Sequence, residues 1–151
     1  MNEKTFKIRE ATINDWSDIS ALSNQLGYSN SQSDIKKQLS SLIDSNTDKV
    51  YVVFLPEGNV VAWIHVTIAQ RLESGTFAEI GGFIVSEEYR NMGMGKRLLR
   101  AAEKWTAKMG LQKLRVRSNI KRKDAAVFYS HMGFSISKNQ SVFDKTVKME
   151  F

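Results

Sequence analysis

The residues best suited to chemistry form a turn, Arg90-Asn91-Met92-Gly93-Met94-Gly95-Lys96, set between a β-rich run from Phe77 to Ser86 and a helical pattern ending near Met109. The first amides of a helix have no carbonyl partner within it, and the aligned peptide dipoles make that end favourable for an anion. Gly93 and Gly95 let the main chain approach a ligand closely and adopt positive φ. The turn therefore reads as a phosphate cradle. Two familiar cradles fail on spacing. A nucleoside-triphosphate loop requires a glycine five residues before the Gly-Lys pair and a hydroxyl residue after it, where this chain has Arg90 and Arg97. A dinucleotide fingerprint requires a third small residue where Leu98 stands, and no acidic ribose ligand accompanies it.

What remains, Arg-x-x-Gly-x-Gly after a long apolar strand, resembles the motif by which the GNAT superfamily of acetyl-coenzyme A-dependent N-acetyltransferases wraps the pyrophosphate of coenzyme A. A second segment, Asn119 and then Ala125 to Phe134 with Phe128-Tyr129 and Gly133-Phe134, is similar to the family's Asn…Phe-Tyr-x-x-x-Gly-Phe stretch. Its gap from Asn119 to Tyr129 is longer than in the commonest form. The resemblance covers nearly the whole chain and is weakest between Gly27 and Asp48. It implies acetyl-coenzyme A as cosubstrate and assigns Arg90, Gly93 and Gly95 to the pyrophosphate, with Asn91, Met92 and Met94 as loop amides. By the same resemblance Phe83, Ile84 and Val85 offer backbone groups to the acetyl and pantetheine portions. Asn119 and Phe128 join the cofactor set, and Lys96 or a basic cluster further along meets the ribose phosphate. For Arg90 two roles stand side by side, a phosphate ligand or a cap paired with Glu87 or Glu88.

Acetyl transfer to an amine needs an uncharged nucleophile, and a free amine with a pKa near 10 is largely protonated at neutral pH, so the site must remove a proton. Glu79 is the candidate base: it lies eleven residues before Arg90, the separation seen in family members whose base is a glutamate on this strand. A carboxylate facing water or paired with a cation is the alternative. The resemblance makes Tyr129 the candidate acid, a phenol that donates to the leaving thiolate, whereas a tyrosine capping the core would need no such role. With no cysteine and no Ser/His/Asp arrangement, direct attack in a ternary complex is expected rather than an acyl-enzyme. The acceptor is then a small-molecule amine or an exposed protein amine. Its walls are expected at Gln25, Tyr28, Trp63 and His65. His65 shares a strand face with Trp63 and Thr67, and either lines that cleft or is a histidine satisfied within a sheet. A non-catalytic coenzyme A or acyl-coenzyme A-binding module is the alternative function.

These residues need a scaffold. Alternation from Thr5 to Glu10 predicts a strand. Thr12 stands three before Asp15 in a capping-box-like start, and Trp16, Ile19, Leu22 and Leu26 give one apolar helix face that Gly27 ends. Ile35, Leu39, Leu42 and Ile43 predict a second helix from about Gln32 to Ile43. Lys49–Leu55 and Asn59–Ile68 read as a hairpin around Pro56-Glu57-Gly58, and Phe77–Ser86 as the next strand. The Gly81-Gly82 pair within it marks a bulge or a close backbone approach by a ligand. The family uses this place to splay two strands and admit the thioester arm. Leu98, Leu99, Ala102, Trp105 and Met109 stripe a third helix, stopped by Gly110. Leu111–Arg117 is expected as a strand, Asp124–Met132 as a helix, and Phe134–Ser137 with Ser141–Met149 as two closing strands. The order β-α-α-β-β-β-α-β-α-β-β describes one α+β domain spanning residues 1–151, a mixed, mostly antiparallel sheet of six or seven strands flanked by about four helices, as in the GNAT fold.

Composition sets the bounds. The chain has 151 residues, 42% of them hydrophobic and 25% charged, the balance of an ordinary soluble domain. Two histidines and no cysteine leave almost nothing from which to build a metal site. No apolar run approaches the roughly 20 residues of a membrane span, so no membrane partner is expected and the cytoplasm is the default compartment. The net charge is +6, concentrated at Lys113, Arg115, Arg117, Lys121, Arg122 and Lys123. Such a cluster fits a solvated face, a coenzyme A phosphate or nucleic acid, and the absence of aromatics between Leu111 and Lys123 argues against the last. The resemblance also implies a possible homodimer through the closing strands.

Overall fold

A computed structural model of the chain describes residues 6–25 and 32–149. Strand β3, Val60–Arg71, shows why a sheet forms: its run Val60, Val61, Ala62, Ile64 and Val66 is apolar on both faces, and all five residues are buried. A strand of that kind must be sandwiched. It pairs antiparallel with β2, Asp48–Phe54, on one side and with β4, Gly75–Val85, on the other. β1, Lys7–Glu10, extends the sheet beyond β2, and β5, Leu114–Val116, lies parallel to β4, so the order is β1-β2-β3-β4-β5. The β2–β3 turn closes as expected around Gly58, whose φ is 99° and whose N–H donates to the Leu55 carbonyl at 2.8 Å.

Helix α1, Trp16–Gln25, and helix α2, Gln32–Asp44, cover one face. Ile19, Leu22 and Leu39 pack there with Val50, Val52 and Ile84. Helix α3, Met94–Lys108, buries Leu98, Leu99, Ala102 and Trp105 against β2, β3 and β4 from the other side. Full burial of each leucine is worth about 1.5–3 kcal/mol. Helix α4, Lys123–His131, belongs to a second unit. The chain divides into residues 1–117, with the sheet and the first three helices, and residues 118–151.

The two closing strands expected at Phe134–Ser137 and Ser141–Met149 do not form, so the sheet has five strands rather than six or seven. Among the described residues nothing pairs with these segments, and Ile136, Val142, Phe143, Val147 and Met149 stay exposed. Alternation puts Phe143, Val147 and Met149 on one face, but a strand also needs a neighbour to pair with, and none is found among the described residues.

The start of α1 carries a buried charge. Asp15 accepts the Thr12 N–H at 2.8 Å within the expected capping box, and is gripped by both Arg9 guanidinium nitrogens at 2.7 and 2.9 Å. Burial alone would raise the Asp15 carboxyl, but the Arg9 fork and the Thr12 amide outweigh it and hold it below the ordinary aspartate range. A depressed folded value contributes stability that is present above the unfolded value, about 3.9, and is lost as pH falls through the folded one. Asp15→Asn should therefore cost about 1–3 kcal/mol at pH 7, from the half-met Arg9 fork. In urea titrations at pH 7 and pH 3 the wild type should lose more stability on acidification than the variant.

Candidate active site

The β4–β5 ladder has three rungs, Ala78↔Leu114, Glu79↔Arg115 and Ile80↔Val116, and then stops. β4 continues through Val85, paired only with β3. Along Gly81–Val85 the side of β4 turned away from β3 meets no strand among the described residues. Where the ladder ends, the β3 register shifts between His65 and Val66, which face Gly82 and Ile80, so Gly81 is the extra residue of a bulge. The glycines are required on the other front as well. A Cβ on Gly81 would lie 2.6 Å from His65 Nδ1, and one on Gly82 would lie 2.6 Å from the Trp63 ring. The bulge expected at this pair forms, and the glycines also make room for two rings of β3.

The bare edge leads into the glycine turn. Ser86 N–H is tied to the Val61 carbonyl at 2.9 Å, a 3-10 turn covers Glu87–Tyr89, and Asn91 and Gly93 both take left-handed conformations, with φ of 63° and 86°. Alternation of handedness turns successive amides inward, as in anion-binding nests. The first bond of the α3 ladder is from Arg97 N–H to the Gly93 carbonyl at 3.1 Å. The amides of Met94, Gly95 and Lys96 precede it and have no intrahelical acceptor. Met94 is buried and anchors the turn in the core, while Met92 is half-buried and Lys96 exposed. Arg90 donates from Nε to the Val85 carbonyl at 3.4 Å and makes no ion pair with Glu87 or Glu88 among the described residues. On β4, Ile84 is buried and Phe83 and Val85 are half-buried.

Register brings the remaining side chains together. Asp48 faces Thr67, Thr67 faces Glu79, and Glu79 faces Arg115, and residues so paired share a sheet face. This is the face on which Val50 and Val52 meet α1 and α2. Glu79, its side chain 15% exposed, receives a hydrogen bond from Arg117 Nε at 3.2 Å. To take a proton Glu79 must loosen that pair. His65 is satisfied within the sheet: Nε2 lies 2.7 Å from Asp48 Oδ1, and Ser45 Oγ donates to Asp48 Oδ2 at 2.7 Å. Burial works against charge on Asp48, but hydrogen bonds from Ser45, His65 and Thr67 prevail and hold its carboxyl low. An ionised Asp48 accepts from Nε2, and Nδ1 is the ring nitrogen on the side of Gly81. The buried Trp63 Nε1 has no acceptor among the described residues, at a cost of about 1–3 kcal/mol.

Gln25 closes this region at the end of α1, where its Oε1 accepts the Glu87 N–H at 3.4 Å. Tyr28 lies outside the described residues. In the second unit Asn119 Oδ1 accepts the Lys121 N–H at 2.9 Å, which forms the turn before α4. Tyr129 sits edge-on between Phe128 and Phe134, with centroids 5.5 and 5.6 Å away. Burial pushes its phenol up, against the opposing pull of Arg122, so it remains a proton donor. Asp48 was not singled out by sequence, and Arg117 stood out only as part of the basic cluster. Their partners lie 17 and 38 residues away, and only strand register connects them. Among the described residues no three His, Cys, Asp or Glu side chains could hold a metal ion, and no helix is long and apolar enough to cross a membrane.

A five-stranded mixed sheet with a half-paired fourth strand feeding a glycine turn is an acyltransferase architecture, and the comparisons identify it. Residues 13–134 match the model of the acetyltransferase (GNAT) family, and the chain belongs to that family. No curated protein matches the sequence. Among solved structures, the aminoglycoside 6'-N-acetyltransferase AAC(6')-Ih from Acinetobacter baumannii aligns with a TM-score of 0.82 at 17% identity, over 95% of this chain and 99% of that one. AAC(6')-Iy, in complex with the bisubstrate analogue CoA-S-monomethyl-acetylneamine, gives 0.84 at 14% identity, over 94% and 99%. Glucosamine-6-phosphate N-acetyltransferase from Arabidopsis thaliana gives 0.75 at 22% identity, over 95% and 98%. These likenesses establish the fold.

Proposed function

We propose that the protein moves the acetyl group of acetyl-coenzyme A to a primary amine by direct attack. The observation that carries this reading is the edge of β4 from Gly81 to Val85, which among the described residues has no strand beside it beyond the three-rung ladder and runs on to amides that precede the α3 ladder. A pantetheine arm is an extended amide chain, and an unpaired strand edge supplies the donors and acceptors that such a chain pairs with. The turn amides then hold the diphosphate, with the α3 dipole favouring its charge. Family membership and the coenzyme A-bound neighbours support the same cofactor.

In this mechanism a β4 amide beside the bulge polarises the thioester carbonyl. Glu79, directly or through water, takes the proton that the ammonium must lose, and Trp63, His65 and Gln25 wall the acceptor. Tyr129 gives a proton to the departing thiolate, a role taken from its motif and supported by the burial that keeps the phenol protonated. The neighbours named for aminoglycosides and for glucosamine 6-phosphate support a small amine as acceptor.

A panel of primary amines assayed for thiol release from acetyl-coenzyme A tests the reading. Turnover should require an amine, and Tyr129→Phe should lower kcat about 100-fold, the low end of the range for general acids. Tight coenzyme A binding with no release on any amine would instead identify a non-catalytic coenzyme A-binding module.

A further inference from the structure

The basic cluster has so far found no use, and the fold sorts it. Lys113, Arg115 and Arg117 alternate along the edge strand, so all three point to the face that carries Glu79. Arg117 is engaged with Glu79. Lys113 and Arg115 instead converge on one ring: Lys113 Nζ stands 4.7 Å and Arg115 Cζ 4.3 Å from the centroid of Phe77, and Arg71 Cζ from the end of β3 approaches to 5.9 Å. Phe77 is fully buried beneath them.

Cations that merely belong to a solvated face spread apart, because like charges closer than a Debye length, about 10 Å at 0.1 M salt, repel one another. Here Arg115 and Lys113 share one ring, and among the described residues none of the three has a carboxylate within 4.0 Å. The ring face compensates part of the cost, since each cation–π contact is worth about 0.5–1 kcal/mol at an exposed site. The remaining positive potential is what an anion would neutralise. The nearest carboxylate along the strand, Glu79, is already shared with Arg117.

Position decides which anion. Phe77 is eight residues before Val85, so the cluster lies about 25 Å along β4 from the turn that begins beyond Val85, too far to serve the diphosphate. It is two residues, about 7 Å, from Glu79 on the same face. We infer that Arg71, Lys113 and Arg115, arrayed over Phe77, seat a carboxylate or phosphate carried by the amine acceptor, and so select an anionic amine against a polycation. The inference rests on the proposed acetyl transfer, with Glu79 beside the acceptor amine.

The test measures kcat/KM with acetyl-coenzyme A for matched acceptors: glucosamine 6-phosphate against glucosamine for phosphate, 5-aminopentanoate against pentylamine for carboxylate, and neamine as the polycation. At least one anionic amine should exceed its neutral partner by tenfold or more, and the better pair identifies the anion. Arg115→Gln and Lys113→Gln, each removing a charge-assisted contact, should reduce that anionic-to-neutral ratio about 10- to 100-fold. Coenzyme A affinity, measured in parallel, reports whether each variant is folded, and Lys113→Gln at an exposed position preserves the test if Arg115→Gln fails to fold. Neutral amines equal to anionic ones, neamine as the best acceptor, or ratios untouched by both variants would overturn the anion seat while leaving acetyl transfer standing. Coenzyme A binding without turnover on any amine would overturn the transfer reading, and the seat with it.

Discussion

Glu79→Gln should lower kcat by about 100- to 10,000-fold while coenzyme A binds as before, the range expected when a general base is removed. Glutamine keeps the size and shape of the side chain but cannot accept a proton at neutral pH. The substitution also takes a charged partner from Arg117, whose side chain is 51% exposed and can be solvated instead. Exposed pairs of this kind contribute roughly 0–1 kcal/mol, so folding should change little. The proposed cofactor contacts lie further along β4 and in the turn, beyond the ladder in which Glu79 pairs with Arg115. Steady-state thiol release should separate this variant from wild type, and calorimetry with coenzyme A should not. An unchanged kcat would remove Glu79 from the chemistry and turn attention to His65, whose Nδ1 faces the bulge beside it.

Gly93→Val should weaken coenzyme A binding about 10- to 100-fold, with a smaller loss of fold stability. Gly93 caps α3 at φ 86°, in a conformation that costs an L-residue about 1–3 kcal/mol and a β-branched one more than most. The turn must either hold that strain or relax, and relaxing swings the amides of Met94 and Gly95 away from their common target. Asn91 is a built-in comparison, because it already adopts φ 63° as a non-glycine and asparagine tolerates that region. Asn91→Gly should accordingly leave affinity close to wild type. Titration calorimetry on both variants distinguishes an effect of turn geometry from a general sensitivity of the loop.

Features that depend on local pattern were legible in the sequence. Leu98, Leu99, Ala102 and Trp105 recur at helical spacing and are buried by α3, whereas Met109, read on the same stripe, caps the helix and is exposed. The glycine turn announced a helix start with unpaired amides, and α3 begins at Met94. Features that depend on register were not legible. Nothing near Glu79 in sequence points to Arg117, and His65 could not be read as satisfied until Asp48 was known to lie across β2 and β3. Gly81 and Gly82 were noticed as a bulge, but the rings that press on them come from another strand. The closing strands failed for a related reason: alternation describes how a segment could lie in a sheet and does not provide the neighbour that makes it one.

The half-paired β4 edge has a consequence for the protein between catalytic cycles. The edge of β4 along Gly81–Val85, which no strand covers among the described residues, is a template for any extended chain that reaches it, including a stretch from another molecule. On the proposed reading, the cofactor's pantetheine is a surrogate strand that occupies this template. Keeping the protein charged with coenzyme A would then guard it against sticking to its own kind as well as readying it for turnover.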